Sequence, residues 1–288
     1  MDREFPNPGP FVPLYFFSYP NTGMAGLRPS PPIFPKRSMA GHNKWSKVKH
    51  IKARVDAIKG RVFSKCAHEI ALAARAGGGD VGMNHRLRAA VDNAKAVSMP
   101  KDGIDRAIKK GLGELGGEAI QEVTYEGYGP AGIAFIIEAA TDNLNRTAAD
   151  IRSIFSKNGG SVATPGSVSY QFDRKGEIHV TAAGIGEDQM MDAAIMAGAD
   201  DVQSDESGHV IYTSPVELAA VASELRKAGF AIASEKLVSV PQTPSVVADP
   251  DIARHVMKLY DLLDGYDDTL NVFTNFEVAD EVLAALDA

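Results

Sequence analysis

The chain is predicted to be an α+β protein, with a helical bundle at the front and two α/β domains of ferredoxin-like type behind it, the second inserted in the first. Three observations predict this. Charge divides by position: residues 39–116 carry 16 Lys+Arg against 7 Asp+Glu, whereas residues 117–288 carry 10 against 28. The apolar pattern changes at Gly116-Gly117 from the three-and-four spacing of helices to the runs of strands. The last helix and strand have no partner among the elements just before them, so they are expected to return to the sheet begun at Val123.

Residues 1–38 hold nine of the 16 prolines. Proline fixes φ and removes a backbone donor, so this stretch is expected to be disordered. Arg28, Lys36 and Arg37 suggest a targeting peptide, but the prolines forbid the amphipathic helix that one requires. Met39-Ala40-Gly41 reads as a start, which would leave the extension untranslated.

The basic domain, residues 39–116, is expected to hold three helices. Val55, Ile58, Val62, Cys66 and Ile70 mark one face of a long helix ending near Gly77-Gly78-Gly79. At about 100° per residue, Arg54, Arg61, Lys65, His68 and Arg75 fall in one stripe beside that face, and Arg61, Lys65 and Arg75 are expected to face solvent. A second helix starts at Asn84, an N-cap type, and runs through Leu87, Val91 and Ala94; a third follows Pro100 through Ile104, Ala107 and Ile108.

The rest divides into an α/β domain of residues 117–182 plus 245–280 and an insertion of residues 183–244. Strands are expected at 123–128 and 133–139 about a Gly129-Pro130-Ala131-Gly132 turn, then a helix from Arg146 to Lys157 closed by Asn158-Gly159-Gly160. Strands at 168–172 and 177–180 complete the first portion. The insertion holds helices near 188–198 and 216–229 and strands near 201–205, 210–213 and 237–240. Pro241 to Pro244 forms a linker to the last helix, 251–264, and the last strand, 272–276.

Composition excludes several classes. No apolar stretch approaches the roughly 18 residues of a membrane span, so no membrane partner is expected. The single cysteine, Cys66, allows no internal disulfide and no CxxC zinc pair, consistent with a reducing interior, the cytosol or an organelle matrix. Cys66 and His68 sit two apart on a helix and point to different faces, so they form no nucleophile–base pair. His42, His50, His68 and His85 lack metal-ligand spacing. Asp200-Asp201, Asp205-Glu206 and Asp267-Asp268 lack an EF-hand frame and read as solvated acidic loops. Neither a catalytic residue nor a metal or cofactor is expected.

A cationic module in an acidic chain points to a polyanion. The candidate nucleic-acid-binding residues are Lys44, Trp45, Lys47, Lys49, Lys52, Arg54, Lys59, Arg61, Lys65, Arg75, Arg86, Arg88, Lys109 and Lys110. The Lys44 to Lys52 segment alternates cations with Trp45, which would either stack on a base or anchor the segment to the core. No helix-turn-helix or zinc-finger pattern is present, so the cations argue for phosphate contact rather than base readout. DNA and RNA are both admissible partners, and the sequence sets no oligomeric state.

Five ordered motifs then become specific: Met39 to Trp45; Tyr125-Glu126-Gly127-Tyr128-Gly129-Pro130; Thr141-Asp142-Asn143 with Asn145-Arg146-Thr147; Gly166-Ser167-Val168; and Asp267-Asp268 with Thr274-Asn275-Phe276. Over residues 39 to about 278 the chain resembles the YebC/PmpR family. The resemblance implies a helical amino-terminal domain with two α/β domains. It also implies a role as a cytoplasmic DNA-binding transcriptional regulator or, as for mitochondrial and some bacterial relatives, as a translational activator or ribosome-associated factor. Leu144 stands where relatives often have arginine, which weakens the 142–147 loop as a second cationic contact. Val162-Ala163 replaces a common Leu-Gly, and the Pro-rich extension has no counterpart.

Overall fold

Helix α1 (Val55–Gly77) forms because its apolar residues recur on one face, and that face ends in Ile70, Ala73 and Ala74, all fully buried. The computed structural model describes residues 55–181, 184–205, 208–279 and 282, with side chains from Gly60 onward. Helices α2 (His85–Ala96) and α3 (Lys101–Gly111) pack on α1 around Leu87, Ala90, Val91, Ala94, Ile104 and Ala107. Asn84 fixes the α1–α2 corner. Its Oδ1 accepts from the Leu87 amide at 3.0 Å, and its Nδ2 donates to the carbonyls of Ala73 (2.7 Å) and Gly78 (2.9 Å). At Gly111 a Cβ would overlap the Ala71 carbonyl, so α1 and α3 approach that closely only because the residue is glycine.

The first sheet has the order β3-β1-β2-β9, from β1 (Gln121–Tyr128), β2 (Ala134–Thr141), β3 (Ser161–Ala163) and β9 (Thr269–Thr274). All eight residues of β2 are buried, which accounts for apolar side chains at six of its eight positions. Ile133, Phe135 and Ile137 face α4 (Leu144–Lys157) and α7 (Pro250–Asp264), packing on Ile151, Phe155, Val256 and Leu259. Ala134 and Ile136 face the other way, onto Phe172, Tyr212 and Val238 of the second sheet.

The second sheet has the order β5-β6-β4-β7, from β4 (Phe172–Thr181), β5 (Asp201–Asp205), β6 (Gly208–Thr213) and β7 (Ile232–Pro241). Helices α5 (Glu187–Ala197) and α6 (Leu218–Lys227) cover its outer face over Ile178, Val180, Met190, Ile211 and Leu225. A short parallel pair, β8 (Ser245–Val247) with β10 (Phe276–Val278), lies beside the first sheet.

The helical part and the two mixed α/β parts are thus as the sequence predicts, while the division between the sheets is not. Residues 172–181 form one strand of the second sheet, paired with β6 and β7, rather than two strands of the first. The chain leaves the first sheet after β3 and re-enters it at β9, beside β2. Residues 169–171 form a 3-10 turn, not a strand, because the amides of Gly166, Val168 and Ser169 converge on the Glu126 carboxylate at 2.7, 2.7 and 3.1 Å. The expectation for residues 1–38 lies outside the described residues.

Candidate nucleic-acid interface

The fourteen candidate residues separate into three groups. Lys44, Trp45, Lys47, Lys49, Lys52 and Arg54 lie outside the described residues, and Lys59 lies on α1 with its side chain outside them. Of the rest, Arg61 and Lys109 are exposed, and Arg88 turns back on its own loop, donating to the carbonyls of Val81 (3.1 Å) and Gly82 (2.5 Å).

The third group is bonded within the fold, and in the stripe it corrects the expectation for Lys65 alone, since Arg61 and Arg75 are exposed as expected. Lys65 is only 23% exposed and pairs with Asp264, at the end of α7, at 2.6 Å. Arg75 donates to the Ile120 carbonyl. Arg86 pairs with Glu69 at 3.0 Å and with Glu122 on β1 at 3.1 Å, and Lys110 with Asp142 at 3.7 Å. Burial alone would lower the Arg86 pKa, but the two glutamates hold it above its ordinary value. The stripe therefore borders the α/β body at Lys65 and is open to solvent at Arg61 and Arg75. Side chains that border an apolar helix face must border whatever that face packs against, and here the seam is Ala71 and Leu72 against Ile120, Ala140 and Leu270.

Where the bundle meets both sheets there is a cleft of about 490 Å³, walled by Cys66, Arg86, Ala89, Glu138, Arg174 and Leu237 among others. Its cations are matched: Arg174 pairs with Glu138 at 2.5 Å and Lys236 with Glu177 at 3.2 Å. Such a balanced cleft offers an incoming phosphate little net attraction. Cys66, half-buried in its wall, has its thiol pKa raised by burial and then by Glu69, so its thiolate is disfavoured.

The Asp267-Asp268 pair departs from its reading as a solvated loop. Asp268 is 7% exposed and accepts from Thr147 Oγ1 at 2.6 Å and from Arg146 at 2.8 Å. Burial raises its pKa, but these donors outweigh burial and hold it below the usual carboxylate range. Tyr266 donates to Asp150 at 2.8 Å, and its phenol is pushed up to about 12 by burial first and then by that bond. Arg146 is thus committed within the fold, in line with the weak case for a second cationic contact at this loop.

His68, on the same seam, has a buried Nδ1 with no hydrogen-bond partner. Burial lowers its pKa, Asp268, Asp142 and Asp267 oppose this, Lys110 adds to it, and the net is a lowered value. The histidine cation and the Asp268 acid are both disfavoured in the folded state, so the unfolded chain binds more protons as pH falls. Stability is therefore expected to be complete above the ordinary imidazole range near pH 6.5 and to decline below it, the carboxylate adding its loss near pH 4 and lower. Urea unfolding at pH 7.5 and pH 5 should show this decline, and His68→Gln should flatten it; equal slopes in both proteins would refute the assignment.

The sequence motifs turn out to be the places where distant segments join. Tyr125 to Pro130 meets Gly166 to Val168 through Glu126 and through Tyr128, whose hydroxyl donates to the Ser167 carbonyl at 2.8 Å. Thr141 to Thr147 meets Asp268. Asn275 accepts from the Ala134 amide at 3.0 Å and donates to Gln171 at 3.2 Å. Motif residues of this kind hold the fold together. Among the described residues no group of three or more His, Cys, Asp or Glu is placed to hold a metal ion, and no helix is long and apolar enough to cross a membrane.

Fold and site together define a three-part α+β protein in which a basic helical bundle is clasped by ion pairs to an acidic α/β body. The amino-terminal part, residues 43–114, matches the family model for the TACO1/YebC protein N-terminal domain, and residues 120–276 match that for the TACO1/YebC second and third domain. The chain belongs to the TACO1/YebC family, whose members have, at family level, a nucleic-acid-associated regulatory role. It is 59% identical over 250 residues to a protein of Akkermansia muciniphila described as a "Probable transcriptional regulatory protein", covering 86% of this chain and 100% of the relative. A protein of Pseudomonas syringae with the same description is 48% identical over 249 residues, again 86% of this chain and all of the relative. The crystal structure of a conserved hypothetical protein from Aquifex aeolicus is similar, with a TM-score of 0.77 and 44% identity over 83% of this chain and 99% of that one.

Proposed function

We propose that the chain is a cytoplasmic, nucleic-acid-binding regulator of gene expression, acting as a DNA-binding transcriptional regulator through its basic amino-terminal part and performing no catalysis. The distribution of positive charge carries this reading. Residues 44–59 hold six Lys+Arg against the single acid Asp56, whereas residues 60–116 hold ten against six, and three of those ten pair with carboxylates of the α/β body. The surplus that would grip a phosphate backbone is concentrated ahead of Gly60. The descriptions given to the Akkermansia and Pseudomonas relatives support DNA as the target.

One observation favours RNA as a second reading. The exposed face of α3 alternates Asp102 and Asp105 with Arg106 and Lys109 at i, i+4 spacing, a solvated, charge-laced surface rather than a base-reading helix. A bundle that contacts phosphate and shape suits structured RNA, ribosomal RNA included. The fold is read further as two ferredoxin-like units, the second inserted in the first; the β5-β6-β4-β7 order and the return of β9 to β2 support this. Crosslinking in cells followed by sequencing of the bound nucleic acid tests the function. Promoter fragments are expected on the first reading and ribosomal RNA on the second, and recovery of neither would overturn both.

A further inference from the structure

We propose that the α/β body is a built-in competitor for the polyanion: Glu122, Asp142 and Asp264 occupy Lys65, Arg86 and Lys110, and nucleic acid gains those three cations only by displacing the carboxylates. This rests on the reading that the bundle binds nucleic acid, and it adds a regulation of that binding.

The three carboxylates come from three separate places in the body: the start of β1, the loop before α4 and the end of α7. Each meets a different cation of the bundle, one on each of α1, α2 and α3. The apolar seam they accompany is small, two residues of α1 against three of the body. Side-chain exposures run from 23% for Lys65 and Asp264 to 43% for Arg86, so the pairs are open to solvent and salt. Pairs of that kind hold weakly enough to exchange with phosphate, yet are favoured by being tethered in one chain. A cation already matched by an internal carboxylate has little to gain from a phosphate, and its engagement releases fewer counterions.

The test is binding of a short DNA duplex by the full chain over a salt series, comparing wild type with the triple variant Glu122→Gln, Asp142→Asn, Asp264→Asn. The variant is expected to bind about tenfold more tightly at low salt, with a slope of log affinity against log salt steeper by about 1 to 2, because Arg86 keeps its bond to Glu69 of the bundle. Substituting Lys65, Arg86 and Lys110 by glutamine should hardly weaken the wild type but should abolish the variant's gain. Should the carboxylate variant fail to fold, wild type alone decides: adding duplex should accelerate amide exchange at 260–265, where the end of α7 is released. Equal affinity and equal slope, or unchanged exchange in that segment, overturn the competitor while leaving nucleic-acid binding intact. Failure of wild type and variants alike to bind the duplex overturns the DNA-binding reading and the competitor with it.

Discussion

Reversing Lys47, Lys49 and Lys52 to glutamate is expected to lower affinity for nucleic acid by about two to three orders of magnitude at moderate salt while leaving thermal unfolding unchanged. The stretch 44–59 carries a net charge of +5, which these reversals turn into −1. Each lost phosphate contact removes a released counterion, so the salt slope should flatten as the affinity falls. Reversing Arg61, Lys65 and Arg75 would be a less clean experiment. Lys65 and Arg75 bond to the α/β body, and a glutamate at position 65 would face Asp264 across a partly buried contact. That variant is expected to lose stability as well as binding. Fluorescence anisotropy for affinity and circular dichroism for unfolding separate the two effects; full binding by the Lys47, Lys49, Lys52 variant would remove the amino-terminal part from the interface.

Replacing Glu126 by glutamine is expected to cost about 2–4 kcal/mol, or about 5–15 °C in melting temperature. The carboxylate is 6% exposed and accepts from three backbone amides in the segment that links the two sheets. Glutamine keeps the shape but turns an NH2 group toward an amide donor, leaving buried N–H groups unmatched. Burial raises the Glu126 pKa, yet the amides together outweigh it and hold the group below the usual carboxylate range. Its stabilisation is therefore present above the ordinary glutamate pKa and disappears as pH falls through the lower folded value, so wild type and variant should converge in strong acid. A melting temperature within about 2 °C of wild type at neutral pH would show that these bonds are replaced by water without loss.

The helices were the most legible part of the chain, because the 3.6-residue period is local: α1, α2 and α3 end within a residue or two of Gly77, Ala94 to Ala96 and Gly111. Strand partners were less so. β4 contains Glu177 to Val180, a recognisable strand, but nothing local tells a strand which sheet to join, and its partners lie 27 to 69 positions away. β3 and β8 escaped notice since three residues are too few to show a period of two. At the site, residue type and spacing placed Arg61, Lys65 and Arg75 on one stripe, and Arg61 and Arg75 are exposed as expected, yet the pairing of Lys65 depended on an acid far along the chain. Glu126 and Asp268 gave no signal beyond membership in a motif, because an acid that bonds backbone amides and one that sits in water look alike in sequence.

The wide separation of Lys65 and Asp264, 199 positions, also has a temporal side. At about 5–20 residues per second, translation delivers α1 some 10 to 40 seconds before α7. Until the closing aspartate leaves the exit tunnel, every newborn copy carries its bundle bare of that counter-charge, within reach of the RNA of the machine that is making it.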